Sequence, residues 1–272
     1  MDNQFPFSGL ISPNRFLPVQ ETVLSQDNFS DSAMAGKGIK ILNWNVAKNN
    51  NTSKWANDFY QIVENHQPDL ICFQEIELNK NTQKILALEA MGWRFAPNFI
   101  DFYYNTYCGI LTASKVHPVT SRAILTPEFE PVTNTPKVSL ISEYPLKETG
   151  QTLLVVNTHA INFVNLHKFK SQLQKLEAVL GDRREPLILC GDFNTWSQGR
   201  FNLLKLMANR LNLIPVQFSR QDQAKLKTFL GSPPLDHIFY RGLTPKVQTA
   251  KVLDKLYSSD HKPMVVELAL VV

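Results

Sequence analysis

Apolar and polar positions along the chain follow two different periods. From Ile39 the run "IKILNWNV" has the apolar density of a strand, and "KWANDFYQIVENH" then sets Trp55, Phe59, Ile62 and His66 on one helical face. "DLICFQEI" reads as a second strand, and "NTQKILALEAMG" as a helix ending at Gly92. The middle of the chain is different. "WRFAPNF", "CGILTAS", "HPVTSRAIL", "KVSLISEY" and "TLLVVNTHA" are short strand candidates separated by Pro, Gly and Asn. A helix with Phe169, Leu173, Leu176 and Leu180 in register follows, then the strand "PLILCGDF" and the helix "RFNLLKLMANRL". The end is again strand-like, with "DHIFYR", "KVQTAKVL" and "KPMVVELALVV".

Residues 1–37 have no sustained period and are rich in Ser, Asn, Asp, Gly and Pro, which predicts an extended or partly disordered lead-in. No linker-like stretch and no short repeat divides the rest, so 38–272 is expected to be a single α/β domain. Many strands with a few amphipathic helices predict two stacked sheets covered by outer helices.

Composition alters this little. With 272 residues, 43% hydrophobic and 19% charged, the chain has the make-up of an ordinary globular protein with a sizeable core. A net charge of +4 permits a polyanionic partner without demanding one. Cys72, Cys108 and Cys190 have no CxxC partners, so buried free thiols are expected rather than a zinc site or disulfides. No basic-then-apolar leader is evident, and no apolar run approaches the roughly 18 residues of a spanning helix, so a cytoplasmic protein without a membrane span is expected.

The chemistry lies at the strand ends. Asn45 closes "LNWNV", Glu75 closes "ICFQE", and His159 and Asn162 follow "VVNT". Asp192 and Asn194 close "CGDFN", Asp236 opens "DHIFY", and Asp260 and His261 lie in "SSDHKP". Singly, each has an ordinary reading: Asn45 as a loop or cap residue, Asp192 and Asn194 as a turn or cap, His159 as a satisfied core histidine, Asp260–His261 as a turn before Pro263. His237 is assigned to the core. Glu75 is odder, because a half-buried carboxylate needs a partner. Collected at one end of one group of strands, these carboxylates, amides and imidazoles suit a phosphate and a hard cation. Oxygen ligands without a Cys/His cluster favour Mg²⁺ or Mn²⁺ over Zn²⁺.

At these residues the chain resembles the endonuclease/exonuclease/phosphatase superfamily, with the pieces "LNWNV", "ICFQE", "NTHAIN", "LILCGDFN", "LDHIFY" and "SSDHKP" in the family's order. "GDFN-x-WS", "NxHAxNF" and "PLDxxFYRGL" are similar to its bacterial YafD-type branch. The resemblance implies a deoxyribonuclease I-like four-layer α/β sandwich, two mixed sheets face to face with helices outside. It implies Glu75 as principal metal ligand, with Asn45 and Asp260 helping to hold the metal. Asp192 would activate water or handle a proton at the leaving oxygen. Asn45, Asn162 and Asn194 would meet phosphate, Asp236 and His261 would form a dyad, and His159 matches a candidate general acid. The cofactor implied is Mg²⁺, with Mn²⁺ substituting.

Neutral amides facing a phosphate add no repulsion, and a divalent cation with a donor imidazole stabilises charge built up in phosphodiester hydrolysis. The leading expectation is therefore a nuclease or other phosphodiesterase acting on nucleic acid. The alternatives are hydrolysis of a phosphorylated small molecule or lipid head group, and a non-catalytic scaffold. Specificity is expected from loops. The aromatic stretch Asp101–Tyr107 is read as a strand edge packed on the core, with base or lipid contact as its alternative. Trp196 and Arg200 are candidates for a base and a phosphate, with Arg200 otherwise a solvated residue at a helix start.

Overall fold

The computed structural model describes residues 15–131 and 133–271. The elements begin with β1 (Phe16–Pro18), β2 (Leu24–Gln26), β3 (Ile39–Asn45), α1 (Ser53–His66), β4 (Leu70–Leu78), α2 (Lys80–Ile85), β5 (Gly92–Asp101) and β6 (Thr106–Ser114). They continue with β7 (Thr120–Leu125), β8 (Val138–Pro145), β9 (Thr152–His159), α3 (Leu166–Leu180), β10 (Leu187–Asp192) and α4 (Gln198–Arg210). The last are β11 (Ile214–Pro215), α5 (Arg220–Gln223), β12 (Asp236–Arg241), β13 (Leu243–Pro245), β14 (Lys251–Val252) and β15 (Met264–Leu270).

The strands form two mixed sheets. One has nine strands, with the path β1-β5-β6-β4-β3-β15-β13, β2 joining β5 and β14 joining β15. The other has six, in the order β11-β12-β10-β9-β8-β7. β3 runs parallel to β4, and β9 parallel to β10, while most other pairs are antiparallel.

Side-chain alternation puts every central strand to use on both faces. Ile39 and Ile41 of β3, Leu70 and Cys72 of β4, and Met264, Val266 and Leu268 of β15 meet Leu153, Val155, Ile188, Cys190, Ile238 and Tyr240 from the second sheet. The alternate residues face outward. Leu42, Trp44, Ile71 and Phe73 lie under Trp55, Phe59 and Ile62 of α1. Leu154, Val156, Leu187 and Leu189 lie under Phe169, Leu173, Leu176, Leu204 and Met207 of α3 and α4. Helix, sheet, sheet and helix make the four-layer sandwich. Phe59 and Ile62 are fully covered, each burial contributing roughly 1.5–3 kcal/mol before entropy. The helices start at side-chain caps: Thr52 accepts from Trp55 N, Asn165 from Lys168 N and Ser197 from Arg200 N.

Three details depart from the sequence pattern. α2 ends at Ile85, and Gly92 opens a strand, at a point where a Cβ would meet the Phe29 ring at 2.5 Å. In "KVQTAKVL" only Lys251 and Val252 pair, with Val265 and Met264. From residue 15 onward the lead-in carries β1 and β2, both paired along β5, and Met34 is buried against the inter-sheet core. Residues 1–14 lie outside the described residues. Among the described residues, no helix is long and apolar enough to cross a membrane. Cys72, Cys108 and Cys190 are free and buried.

Candidate active site

The inward-facing positions that make the apolar core turn polar at one end. On β3, Ile39 and Ile41 are followed in the same alternation by Asn43 and Asn45; on β4, Leu70 and Cys72 by Gln74. On β9, Leu153 and Val155 are followed by Asn157 and His159, and on β10, Ile188 and Cys190 by Asp192. β12 runs antiparallel and reaches the same end at its start, with Asp236 opposite Asp192. The first polar tier is amide. Gln74 Nε2 donates to Asn43 Oδ1 (2.9 Å) and to Asn157 Oδ1 (2.7 Å), stitching the sheets together. Asn157 Nδ2 donates to the carbonyls of Phe73 (3.1 Å) and Leu111 (2.9 Å). These bonds satisfy most of the tier's buried polar atoms, while Asn43 Nδ2 and Gln74 Oε1 have no protein partner.

The second tier holds the acids. A register irregularity in β4 between Phe73 and Ile76, with Glu75 at φ 53°, turns this carboxylate out of the regular alternation. Gly191 is required by contact: at φ 146°, a Cβ would lie 1.9 Å from Thr158 O. Asn194 stands at φ 50°, a region asparagine tolerates better than most residues. Asn45 Nδ2 donates to Asp192 Oδ2 (2.8 Å) and approaches Glu75 Oε1 (3.4 Å). Asp192 Oδ1 accepts from Asn194 N (2.8 Å), and Asn194 Nδ2 donates to Ala160 O (2.9 Å). His261 Nδ1 and Asp236 Oδ2 are 2.7 Å apart.

Electrostatics differentiate these groups. For Glu75, burial favours the neutral acid, but nearby basic groups, Lys48 foremost and then His159, Lys137 and His261, outweigh it and hold the carboxyl well below the usual range. Burial pushes Asp192 up, with Asp236 and Glu75 adding to it against His261. Burial would discharge His261, yet the charge and hydrogen bond of Asp236 push it up to about 9. His159 goes the other way: burial and Lys137 hold it well below its ordinary value. It is neutral, so its approaches to Glu75 (3.6 Å) and Asp192 (3.7 Å) are not ion pairs. Donor atoms of Glu75, His159 and Asp192 lie within 4.8 Å of one another. An ionised carboxylate, a second carboxylate and a neutral imidazole fit a divalent cation.

The other expected site residues divide. Asn162 lies three residues beyond His159, its Oδ1 accepting from Trp196 Nε1 (2.8 Å) and its backbone N donating to Glu130 Oε1 (2.8 Å). Asn45 presents its amide nitrogen to the acids, because Oδ1 already accepts from Ala47 N (2.9 Å). Asp260 does not join the metal-ligand group: its side chain is 62% exposed and pairs with Lys227. Arg200 neither meets phosphate nor lies in solvent. It is fully buried, donating to the carbonyls of Ile161 (2.9 Å), Asn194 (3.1 Å) and Val164 (3.0 Å), between the rings of Phe169 and Trp196. His237 packs under α4 against Phe193, Phe201 and Phe239, with Nε2 2.9 Å from Thr195 Oγ1 and 3.0 Å from Pro234 O, as a satisfied core histidine would.

Asp101–Tyr107 is not packed on the core along its length. Phe102, Tyr103 and Tyr104 are 63%, 59% and 72% exposed at the β5–β6 turn. Buried Asp101 anchors it by accepting from Tyr103 N (3.1 Å), while Arg15 donates to the same carboxylate and lies over both tyrosine rings. Sequence reasoning missed Gln74, Asn157, Lys48 and Lys137. The alternation that carried Asn45 and Asp192 into the site could have found the two amides; nothing local marks the lysines.

The chain matches the model of the Endonuclease/Exonuclease/phosphatase family over residues 42–261. It is 34% identical over 239 residues to a UPF0294 protein of Vibrio campbellii, covering 85% of this chain and 78% of that protein. It is 31% identical over 233 residues to one of Vibrio cholerae, again covering 85% and 78%. A solved endonuclease/exonuclease/phosphatase from Beutenbergia cavernae superposes with a TM-score of 0.68 at 17% identity, covering 86% of this chain and 72% of that one. The human Nocturnin catalytic domain with bound sulfate gives 0.66 at 20% identity, covering 92% and 98%. D. rerio TDP2 complexed with single strand DNA product gives 0.63 at 18%, covering 85% and 98%. With the two-sheet sandwich and the polar strand ends, these matches place the chain in the endonuclease/exonuclease/phosphatase family.

Proposed function

We propose that this chain is a divalent-cation-dependent phosphodiester hydrolase acting on nucleic acid. One observation carries the reading: Glu75, His159, Asp192 and the Asp236–His261 pair, drawn from both sheets, converge at the one end where the core turns polar. Glu75 would be the principal ligand of Mg²⁺, or Mn²⁺ in its place, which when bound supplies positive charge to a phosphoryl oxygen.

The residues divide the remaining work. Asp236 fixes the imidazole of His261 through Nδ1, leaving Nε2–H to donate to a nonbridging phosphoryl oxygen. Asp192, its carboxyl pushed up by burial, takes the proton of the attacking water. Asn194 and Asn162 border the phosphate as neutral groups. His159 is held neutral, which suits hydrogen bonding to substrate and argues against its serving as the general acid. The exposed rings of Phe102, Tyr103 and Tyr104 favour nucleic acid, since flat aromatic faces stack on any base. The same apolar turn also suits a lipid head-group substrate, the second reading.

Purified protein should cleave bis-p-nitrophenyl phosphate and a nucleic acid from a panel of abasic, nicked, single-stranded and duplex DNA and RNA. Cleavage should require Mg²⁺ or Mn²⁺ and stop with EDTA. Turnover of sphingomyelin or inositol phosphates alone would favour the second reading. Activity left intact in Glu75→Gln or His261→Ala would overturn the site assignment.

A further inference from the structure

Lys48 stands on unusual backbone. Ala47 and Lys48 are consecutive non-glycine residues in the left-handed region, at φ 51° and 57°. Together they form a type I′-like turn closed by Asn49 N donating to Val46 O (2.9 Å), a conformation that non-glycine residues hold only with support. That support comes from the site itself. Ala47 N donates to Asn45 Oδ1 (2.9 Å), and Lys48 N donates to the backbone carbonyl of Glu75 (2.9 Å). The result brings Lys48 Nζ 3.5 Å from Glu75 Oε2 and 5.9 Å from the centre of the Phe99 ring.

The lysine side chain is 41% exposed and the carboxylate 25%, so this ion pair is open to solvent. Lys137, the other ammonium near Glu75, is only 10% exposed and is held by Glu130 at 3.4 Å. Lys48 is therefore the lysine near Glu75 with freedom to change partner. A divalent cation on Glu75 would take away its counter-charge and repel it. The other carboxylates that feel this ammonium are already engaged, Glu77 by Asn51 and Glu130 by Lys137 and Asn162 N, whereas a phosphate of the substrate would bring uncompensated charge.

We propose that Lys48 is a substrate-phosphate-binding residue that exchanges partners, pairing with Glu75 until a divalent cation takes that carboxylate and then binding a phosphate oxygen. This rests on the phosphodiesterase reading, but its first test does not use activity. Calorimetric titration of Mn²⁺ alone into wild type, Lys48→Met and Lys48→Arg should show Lys48→Met binding the ion several-fold more tightly. Lys48→Arg should stay close to wild type.

With bis-p-nitrophenyl phosphate, Lys48→Met should raise KM about tenfold with a smaller change in kcat, and Lys48→Arg should recover part of it; a charge-assisted contact is of that size. Thermal melts of the metal-free proteins separate this from damage to the turn. Mn²⁺ affinity unchanged or weakened in Lys48→Met would overturn the exchange, as would an unchanged KM. Wild type that binds Mn²⁺ but hydrolyses no phosphodiester would sink the phosphodiesterase reading, while the titration would still decide whether Lys48 competes for Glu75.

Discussion

Asp236 holds His261 through Nδ1 at 2.7 Å and thereby aims the opposite nitrogen, Nε2, toward Asp192, 3.8 Å from Oδ2. All three side chains are buried. With the Asp236 charge removed, the main influence that keeps the imidazole protonated is gone, and burial is opposed only by Asp192. Asp236→Asn should lower kcat about 10²–10⁴-fold, the usual range for a disabled acid–base group. Adding His261→Gln should cost little more, because the two act as one unit. Steady-state kinetics on the single and double variants checks this; additive losses would show independent roles.

The same pair makes stability depend on pH. The imidazole titrates near 6.5 when unfolded and near 9 in the fold. Its stabilisation is thus fully present below pH 6.5 and is lost as pH rises through about 9. The shift corresponds to roughly 3 kcal/mol. Urea titrations of EDTA-treated protein at several pH values should show wild type losing its advantage over His261→Gln across that interval. Parallel curves would mean the folded imidazole carries no extra charge.

Arg200 illustrates what the sequence conceals. It follows "GDFNTWSQG" closely enough to suggest a phosphate contact, yet its guanidinium crosslinks the backbone of residues 161, 164 and 194. Arg200→Met should leave these carbonyls short of donors, each costing about 1–3 kcal/mol, and lower the urea midpoint strongly. Because these segments flank His159 and Asp192, kcat should fall as well. An unchanged midpoint with weakened substrate binding would restore the phosphate role.

The site's framework was legible in the sequence because alternation is local. Once Ile39 and Ile41 face the core, Asn45 must share their face, and the same count carries Cys190 to Asp192 and Val155 to His159. The sandwich followed from the same periods. What was not legible depends on contacts between distant segments. Asp260 looks equivalent to His261 in "SSDHKP", and only the position of Lys227 shows it turned outward. Lys48 and Glu75 are brought together by the pairing of β3 with β4. The aromatic turn reads as apolar, and nothing near it in sequence discloses that Arg15 and Asp101 hold it out in solvent.

That turn gives a test of substrate class. The rings of Phe102, Tyr103 and Tyr104 are exposed beyond the strand neighbouring the one that carries Glu75. Replacing all three by serine should raise KM for an oligonucleotide by one to two powers of ten, since each stacked base contributes about 1–3 kcal/mol. KM for bis-p-nitrophenyl phosphate, which has no reach to the turn, should hardly move. Equal effects on both substrates would assign the turn to the fold rather than to recognition.

Glu75 decides whether a cation belongs here at all. Its carboxyl stays ionised despite burial, because basic groups surround it, Lys48 foremost. A divalent ion bound to the folded protein alone should stabilise it by mass action, about 2.7 kcal/mol at a hundred times its dissociation constant. Thermal melts should therefore rise with Mn²⁺ or Mg²⁺ and return with EDTA. Glu75→Gln keeps the shape and removes the charge, so its melting temperature should no longer respond to either ion. The variant relieves a buried charge but leaves Lys48 without its partner, so its melt without metal should differ only modestly from wild type. A full metal response in Glu75→Gln would move the cation site to Asp192 with Asp236, the other acid pair beside His261.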